Sequence, residues 1–152
     1  MAEIGLSING QPSSIVEGRT LLEQLLTGAS VIEGTLQSHL GERFDVTLLR
    51  FDLMAQLDPL PDGMDWSDLS KLMMGSNANL TELVGQLVKS GDIDRRTSLC
   101  DRRGQVIRLT KAGRAAFRKM AAEHRKWIAD IFSDFAANDI LEMTRLLAKI
   151  KS

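Results

Sequence analysis

The chain has 152 residues, of which 43% are hydrophobic, and its formal net charge is −1. These values are typical of one folded domain with a sizeable core, and they exclude a disordered chain. The single cysteine, Cys100, excludes an intramolecular disulfide framework and favours a reducing compartment. Neither a signal peptide nor an apolar run of membrane-spanning length is visible. We therefore expect a cytoplasmic protein that has no membrane partner.

The near-neutral net charge conceals an uneven distribution along the chain. Residues 1–88 carry 4 Lys or Arg and 12 Asp or Glu, a net charge of −8, whereas residues 89–125 carry 11 and 4, a net charge of +7. Residues 126–152 balance at 4 and 4. Most charge runs are simply solvated faces. A basic block inside an acidic chain is nevertheless typical of a surface that binds a polyanion.

The first part of the chain is mainly helical in pattern. Residues 4–18 contain Asn-Gly and Pro-Ser-Ser and are predicted to form an irregular arm. Asp65 is expected to cap the third helix, and Gly91 occupies the position in which a glycine commonly ends a helix. Apolar residues at three- and four-residue spacing predict four helices, over residues 20 to about 39, 48–57, 66–74 and 78–89.

A short basic hairpin is predicted after the fourth helix. Val106 and Arg108 alternate with Ile107 and Leu109, which is the pattern of a half-buried strand. Thr110 then precedes a helical run and is expected to cap it through its side-chain oxygen. Apolar stripes predict two further helices, over residues 117–135 and 140–150.

Two short helices joined by a glycine-containing turn and followed by a basic hairpin form a winged helix-turn-helix. The second helix of such a pair fits the major groove, where Asn and Gln pair with adenine and Ala or Thr contacts a thymine methyl group. The alternative is a surface hairpin with incidental charge. The residues predicted to contact DNA are Ser76, Asn77, Ala78, Asn79, Thr81, Gln86 and Lys89 in the helix, and Arg95, Arg96, Arg102 and Arg103 in the hairpin.

The same stretch resembles the MarR family of bacterial winged-helix regulators. The wing of that family carries Asp-x-Arg, followed by a strand that ends in Leu-Thr-x-x-Gly. These residues appear here as Asp101, Arg103, Leu109, Thr110 and Gly113, and the leucine and glycine that close the family's recognition helix appear as Leu87 and Gly91. The similarity is clearest from residue 66 to residue 113 and extends more loosely over the whole chain.

This resemblance implies a mainly helical α+β winged helix-turn-helix that forms an intertwined homodimer. In a single domain over residues 1–152, residues 20–40 and 112–152 would then form the dimerisation helices, and residues 47–111 the DNA-binding lobe. The implied partner is a double-stranded, pseudo-palindromic operator. The implied activity is repression of transcription, relieved by a small aromatic or carboxylated effector.

The resemblance also assigns roles within the wing. Arg103 is expected to enter an A·T-rich minor groove, where negative potential is concentrated. Asp101 would orient that guanidinium, and Arg102 would lie closer to phosphate. Asn77 and Glu82 stand where family members often carry a basic residue, so the base preference of the family does not transfer.

The junction of the first and second helices supplies candidates for an effector site. His39, Arg43 and Arg50 could meet an anionic group there. Gly28 and Gly34 remove side-chain volume from the first helix and could open a space for the effector. The alternative is that the two arginines merely neutralise nearby acidic residues, namely Glu42, Asp45 and Asp52.

Other chemistry has little support in the sequence. Cys100 could be a redox sensor, but an ordinary exposed thiol is the better interpretation. His39 and His124 lack neighbours at metal-ligand spacing, and His124 lies on an apolar stripe, which favours a packed histidine. No nucleophile–base pair or glycine-rich phosphate loop is visible. We therefore expect no enzyme, metal or cofactor. The alternative function is a winged-helix protein-interaction module that reads no operator.

Overall fold

The computed structural model describes residues 14–73, 77–97 and 104–150, apart from the side chains of Ser14, Asn77 and Ala78. Six helices and three short strands lie within these residues. In chain order they are α1 (Ser14–Phe44), α2 (Leu48–Leu57), β1 (Met64–Asp65), α3 (Trp66–Leu72), α4 (Asn77–Ser90), β2 (Ile93–Thr97), β3 (Gln105–Leu109), α5 (Lys111–Ile131) and α6 (Ala137–Leu147).

The first helix is longer than its sequence pattern indicates. α1 begins at Ser14 rather than Thr20 and ends at Phe44 rather than near His39. The predicted irregular arm is therefore wrong for residues 14–18. An acidic residue in the first turn and a basic residue in the last turn suit the helix dipole, which helps α1 to extend beyond the apolar stripe at both ends.

The next three helices lie close to their predicted positions. The Thr47 hydroxyl caps α2 by accepting a hydrogen bond from the Arg50 amide at 3.1 Å. α3 ends at Leu72, two residues before the predicted end, and Asp65 occupies its N-cap position without a side-chain hydrogen bond. The predicted cap position is therefore confirmed, but the Asp65 side chain makes no capping hydrogen bond. Gly91 follows α4 with a φ of +82°, which confirms its predicted role at the helix end.

The three strands form an antiparallel sheet in the order β1-β3-β2. Ile107 and Leu109 are buried in β3, whereas Val106 and Arg108 are half-exposed, which confirms the predicted alternation. β1 was not predicted, because a two-residue strand has no periodicity of its own and exists only through its pairing with β3.

The two last helices end before their apolar stripes do. Thr110 caps α5 as predicted, since its hydroxyl accepts a hydrogen bond from the Gly113 amide at 3.0 Å. α5 ends at Ile131, so Phe135 lies in the following turn, where its ring meets Phe132 edge-on at 5.6 Å. α6 ends at Leu147, so Ile150 lies beyond it. The predicted helices over 117–135 and 140–150 are therefore wrong at these ends.

One hydrophobic core joins the sheet to five of the six helices. Leu40, at the C-terminal end of α1, is fully buried in it together with residues of α2, α3, α4 and β3. Burial of each such leucine stabilises the fold by about 2 kcal/mol relative to exposure. The fully or almost fully buried members are Leu40, Leu53, Met54, Leu57, Leu69, Leu80, Val84, Leu87 and Ile107.

Candidate nucleic-acid interface

The recognition helix α4 is amphipathic, with its apolar face in the core. Leu80, Leu83, Val84 and Leu87 recur at helical spacing and are all buried. Their packing fixes the rotation of α4 about its axis. It therefore determines which side chains point away from the protein.

The opposite face of α4 is polar. Its side chains make no hydrogen bond or ion pair with any residue in the described part of the chain, so their donors and acceptors remain available to a partner. We call this set the recognition face. It consists of the exposed residues Asn79, Thr81, Glu82, Gln86 and Lys89.

The predicted DNA contacts divide into those that the structure describes and those that it does not. Asn79, Thr81, Gln86 and Lys89 are exposed on α4, and Arg95 and Arg96 are exposed on β2. For Asn77 and Ala78 only the helical backbone is described. Ser76, Asp101, Arg102 and Arg103 lie outside the described residues, as does Cys100.

The described part of the wing holds its charges in an ion-pair ladder. Asp94 lies directly opposite Arg108 in the β2–β3 register and accepts two hydrogen bonds from its guanidinium, at 3.2 and 3.0 Å. Arg96 donates a third, at 2.9 Å, to the same carboxylate oxygen. The hydrogen bond from Arg108, followed by that from Arg96 and the attraction of both charges, lowers the pKa of Asp94 despite an opposing desolvation effect.

The remaining wing arginine lies on the other face of the hairpin. Arg95 pairs with Ile107 in the register, whereas Arg96 pairs with Val106, so the two arginines project from opposite faces. Arg95 is exposed and makes no ion pair among the described residues. The described part of the wing therefore presents two arginines held by Asp94, and Arg95, which is able to reach a phosphate.

A second cluster fixes the base of the wing to the recognition helix. The Asp92 carboxylate accepts hydrogen bonds from Arg50 at 2.8 Å and from the Ser90 hydroxyl at 2.7 Å. The Thr110 amide donates to the Asp92 carbonyl at 3.0 Å, and the Thr110 hydroxyl donates to the Gly91 carbonyl at 2.6 Å. α2, the end of α4 and the start of α5 are thereby joined within one short loop.

The glycine of the Leu-Thr-x-x-Gly motif has a steric role in this cluster. A Cβ atom on Gly113 would lie 2.0 Å from the carbonyl oxygen of Asp92, which is backbone and cannot rotate away. Thr110 supplies the helix cap and Gly113 the close approach. The motif therefore has a structural role, because it fixes the position of the base of the wing relative to α4.

Three residues of this site were missed by sequence reasoning: Asp92, Asp94 and Arg108. Their charges belong to the basic block, but only the strand register reveals that Asp94 faces Arg108. An alternation of apolar and polar residues around residue 94 would have been the signal for a strand there. Five residues of β2 with a single buried position, Ile93, are too few to establish it.

The candidate effector residues are already engaged in contacts within the chain. His39 stacks on Trp127 with ring centroids 5.0 Å apart, and Arg43 pairs with Glu123 at 3.5 Å. Arg50 pairs with Asp92 in the cluster described above. The alternative partners Glu42, Asp45 and Asp52 are wrong, because the two arginines pair with residues distant in sequence.

His124 is half-buried and packs against an aromatic ring, in keeping with its position on the apolar stripe. Its ring stacks on Phe51 with centroids 4.4 Å apart, and burial lowers the pKa of its imidazole. Within the described residues, no group of three His, Cys, Asp or Glu side chains is arranged to hold a metal ion. Nor is any described helix long and apolar enough to span a membrane.

An apolar cavity of about 450 Å³ lies between α1 and α6. Gly28 is part of its wall, as expected for a glycine that opens a space in α1, whereas Gly34 is not. Phe132, Phe135 and Met143 contribute to the opposite side. The cavity lies apart from the three predicted effector residues.

Residues 49–128 match the model of the winged helix DNA-binding domain. That match covers more than half of the 152 residues and includes α4, the wing and the Asp92 cluster. The chain belongs to the winged helix DNA-binding domain family. Its fold is MarR-like, and the resemblance to that family is confirmed.

Solved structures of known regulators have the same fold. A mutant MarR from E. coli complexed with operator DNA superposes with a TM-score of 0.77 at 19% identity, covering 90% of this chain and 96% of that one. A MarR family transcriptional regulator from Streptomyces coelicolor in complex with DNA superposes with a TM-score of 0.75 at 22% identity, covering 88% and 87%.

A curated relative is similar over part of its length. The transcriptional activatory protein BadR of Rhodopseudomonas palustris is 31% identical over 90 residues, which are 59% of this chain. The aligned part spans about half of that relative, 51% of its length. The chain thus shares its fold with transcription regulators, and its matched family is one of DNA-binding domains.

Proposed function

We propose that this regulator is a homodimeric, ligand-responsive repressor that binds a pseudo-palindromic DNA operator. The observation that carries the proposal is the recognition face of α4, whose polar side chains have no partner among the described residues, beside a wing whose arginines project from both faces. A helix with free amide groups reads base edges in a major groove, and arginines neutralise phosphates.

α4 and the wing would make different kinds of contact with DNA. Asn79 and Gln86 carry the amides that pair with adenine, and Thr81 carries a methyl group that suits thymine. Lys89, at the end of α4, is placed as a phosphate contact. Beyond the described residues, Arg103 would enter the minor groove, held by Asp101, with Arg102 near phosphate. Arg95 and Arg96 would support this contact from the stem of the wing.

Uncovered apolar surface on α1 and α6 supports the homodimer. No residue of α6 is buried, and Leu141 is 69% exposed. On α1, Ile15, Leu26 and Val31 are 85%, 62% and 63% exposed. Monomeric proteins rarely leave so much contiguous apolar surface in water. A second copy of the chain, related by a twofold axis, would cover it and place two recognition helices in successive major grooves.

The dimer can be tested with one added charge. Leu141→Glu places a carboxylate at the most exposed apolar residue of α6, and we expect the variant to sediment as a monomer. Asn138→Glu adds the same charge one turn earlier, at an exposed polar residue, and should remain a dimer. Sedimentation of both variants alongside the wild type is the measurement. A Leu141→Glu variant that remains dimeric would contradict the proposed interface.

The cavity beside Gly28 supports a small, largely apolar effector. Its volume of about 450 Å³ suits a small molecule, and its walls are mainly hydrophobic with Gln24 and Thr144 as polar groups. Use of His39, Arg43 and Arg50 by a carboxylated effector would require their present contacts to break. Gly28→Leu should fill the cavity and abolish release from DNA, whereas Gly34→Leu on the same helix should leave release intact. Sedimentation would verify that both variants keep the same oligomeric state.

The principal test is selection of DNA by the purified protein from fragments of its own genome, followed by sequencing. We expect enrichment of a twofold-symmetric site whose half-site centres are about 10 bp apart. Transcription in vitro from an enriched promoter should then fall when the protein is added. Enrichment of no sequence would contradict the proposal. A rise in transcription would identify an activator, the activity named for the relative BadR.

The alternative, a protein-interaction module, is less well supported. It accounts for a winged helix but gives no reason for a basic wing next to free amide side chains. Binding to a partner protein that is insensitive to salt, together with no DNA selection, would favour it.

A further inference from the structure

Glu82 lies near the centre of the recognition face. Successive side chains in a helix are separated by about 100°, so the buried stripe of α4 defines the direction that points away from the core. Glu82, Gly85 and Lys89 lie within about 30° of that direction, whereas Thr81 and Gln86 lie about 70° to either side. A duplex that docks on this face of α4 would therefore meet both Glu82 and Lys89.

The carboxylate of Glu82 is exposed and has no hydrogen bond or ion pair in the described ranges 14–73, 77–97 and 104–150. Three other acidic groups of the same lobe are engaged: Asp92 holds Arg50, Asp94 holds Arg96 and Arg108, and Asp58 holds Arg114. Among these acidic groups, Glu82 is the one whose acceptor atoms remain available at the centre of the recognition face.

Gly85 leaves room for a partner to approach α4 closely. A glycine inside a helix reduces stability by about 1 kcal/mol relative to alanine. Here a Cβ atom would meet nothing within 4 Å, so packing inside the chain does not require glycine at this position. One turn after Glu82, the absence of a side chain lets the backbone of α4 come near a surface outside the protein.

An unpaired carboxylate facing a DNA groove is repelled by the phosphates unless a base donates a hydrogen bond to it. In the major groove, cytosine presents only its N4 amino group as a donor, and adenine presents N6 beside the acceptor N7, which repels a carboxylate. Guanine and thymine present acceptors and no donor. We propose that Glu82 reads a cytosine amino group in each half-site of the operator, an inference that rests on the proposed function.

Repulsion between the Glu82 carboxylate and acceptor groups on DNA lets this residue discriminate between bases. On most sequences the carboxylate faces acceptors and weakens binding, whereas at a C·G pair in the right position it gains a charge-assisted hydrogen bond. Glu82 thus separates operator from other DNA by penalising the wrong base as well as by favouring the right one.

The test is selection of duplexes from a randomised library by the full chain. Wild type should enrich a half-site with one position fixed as cytosine. Glu82→Gln keeps the shape of the side chain but removes its charge and adds a donor, so the fixed cytosine should be lost or replaced by adenine. Competition titrations should show that discrimination against the other bases at that position falls about tenfold, within the range expected for one base contact. Asp68→Asn, which removes an exposed carboxylate from α3, is the matched charge control.

Each outcome decides a separate claim. If Glu82→Gln alone changes the base at one position while Asp68→Asn keeps the wild-type site, the inference holds. If wild type and Glu82→Gln enrich the same half-site with equal discrimination, Glu82 reads no base and the inference is wrong, although the regulator still binds an operator. If wild type enriches no sequence, the proposed function fails and the inference fails with it.

Discussion

The recognition face of α4 and the wing use polar side chains in opposite ways. On α4 the amide and carboxylate groups have no intramolecular partners among the described residues, whereas in the wing Asp94 holds two arginines and Asp92 fixes the base. The Asp–Arg pairs hold the wing in shape, while Arg95, which has no ion pair among the described residues, can neutralise a phosphate, a contact that carries no sequence information. Free hydrogen-bonding groups can be satisfied only by the right bases, so this contrast assigns base reading to α4 and backbone attraction to the wing.

The largest effect is expected at the base of the wing. Gly113→Ala would place a methyl group against the Asp92 carbonyl, 2.0 Å from its oxygen, and the backbone would have to shift. We expect the free energy of unfolding to fall by about 3 kcal/mol. Chemical denaturation of the variant measures this. A variant as stable as wild type would show that the wing base is not rigid and would weaken the contrast with α4.

The ion-pair ladder of the wing is tested by Asp94→Asn. Without the carboxylate, Arg96 and Arg108 are free and the lobe gains positive charge. Affinity for random-sequence duplex should therefore rise, and the ratio of operator affinity to random affinity should fall. Both follow from competition titrations of variant and wild type. An unchanged ratio would show that the ladder has no part in discrimination.

The same variant has a predicted pH signature. Because the pKa of Asp94 is lowered in the folded state, its contribution to stability is present above its ordinary pKa of 3.8 and is lost as the pH falls through the folded value. The stability difference between wild type and Asp94→Asn should thus be present at pH 6 and shrink below about pH 4. Denaturation of both proteins across this range is the measurement, and a difference that does not change with pH would contradict the ladder.

A smaller effect is expected at Gly85 on α4, where a substitution should increase stability but weaken DNA binding. Gly85→Ala meets no atom within the chain and should raise the free energy of unfolding by about 1 kcal/mol, yet it should weaken binding to DNA. Gly34→Ala in α1 has the same open surroundings and should stabilise without affecting DNA affinity. Thermal unfolding and DNA titration of the pair separate the two effects. If both variants bind DNA with the same affinity, the prediction that DNA approaches the backbone closely at Gly85 is wrong.

Local signals in the sequence predicted much of the DNA-binding lobe. The alternation of Ile107 and Leu109, the cap supplied by Thr110 and the helix end at Gly91 depend on neighbours within a few residues, and the structure confirms all three. The boundaries of α1, α5 and α6 were less accurate, since helices extend or stop according to their ends as well as their apolar stripes.

Long-range pairings could not be predicted in the same way. Arg50 meets Asp92 across 42 positions of the chain, and its sequence neighbours Asp45 and Asp52 are not its partners. β1 likewise exists only because β3 returns beside it. Such contacts follow from the packing of whole elements, so composition and spacing could identify a basic region but not which of its charges are already paired.

The division between base reading and phosphate attraction can be tested most directly with one variant from each region. Gln86→Ala and Arg95→Ala both truncate exposed side chains. Gln86 lies on α4, and Arg95 lies on the face of the wing opposite to Arg96. Competition titrations of operator against mismatched and random duplexes, at several salt concentrations, give discrimination and salt slope for each.

We expect Gln86→Ala to lose about 1–3 kcal/mol of discrimination at one position of the half-site with an unchanged salt slope. Arg95→Ala should weaken binding to all sequences alike and reduce the salt slope by about one unit for each phosphate that the arginine neutralises in the wild type. If Arg95→Ala changes base discrimination, or Gln86→Ala changes only the salt slope, then the assignment of base reading to α4 and of phosphate attraction to the wing is wrong.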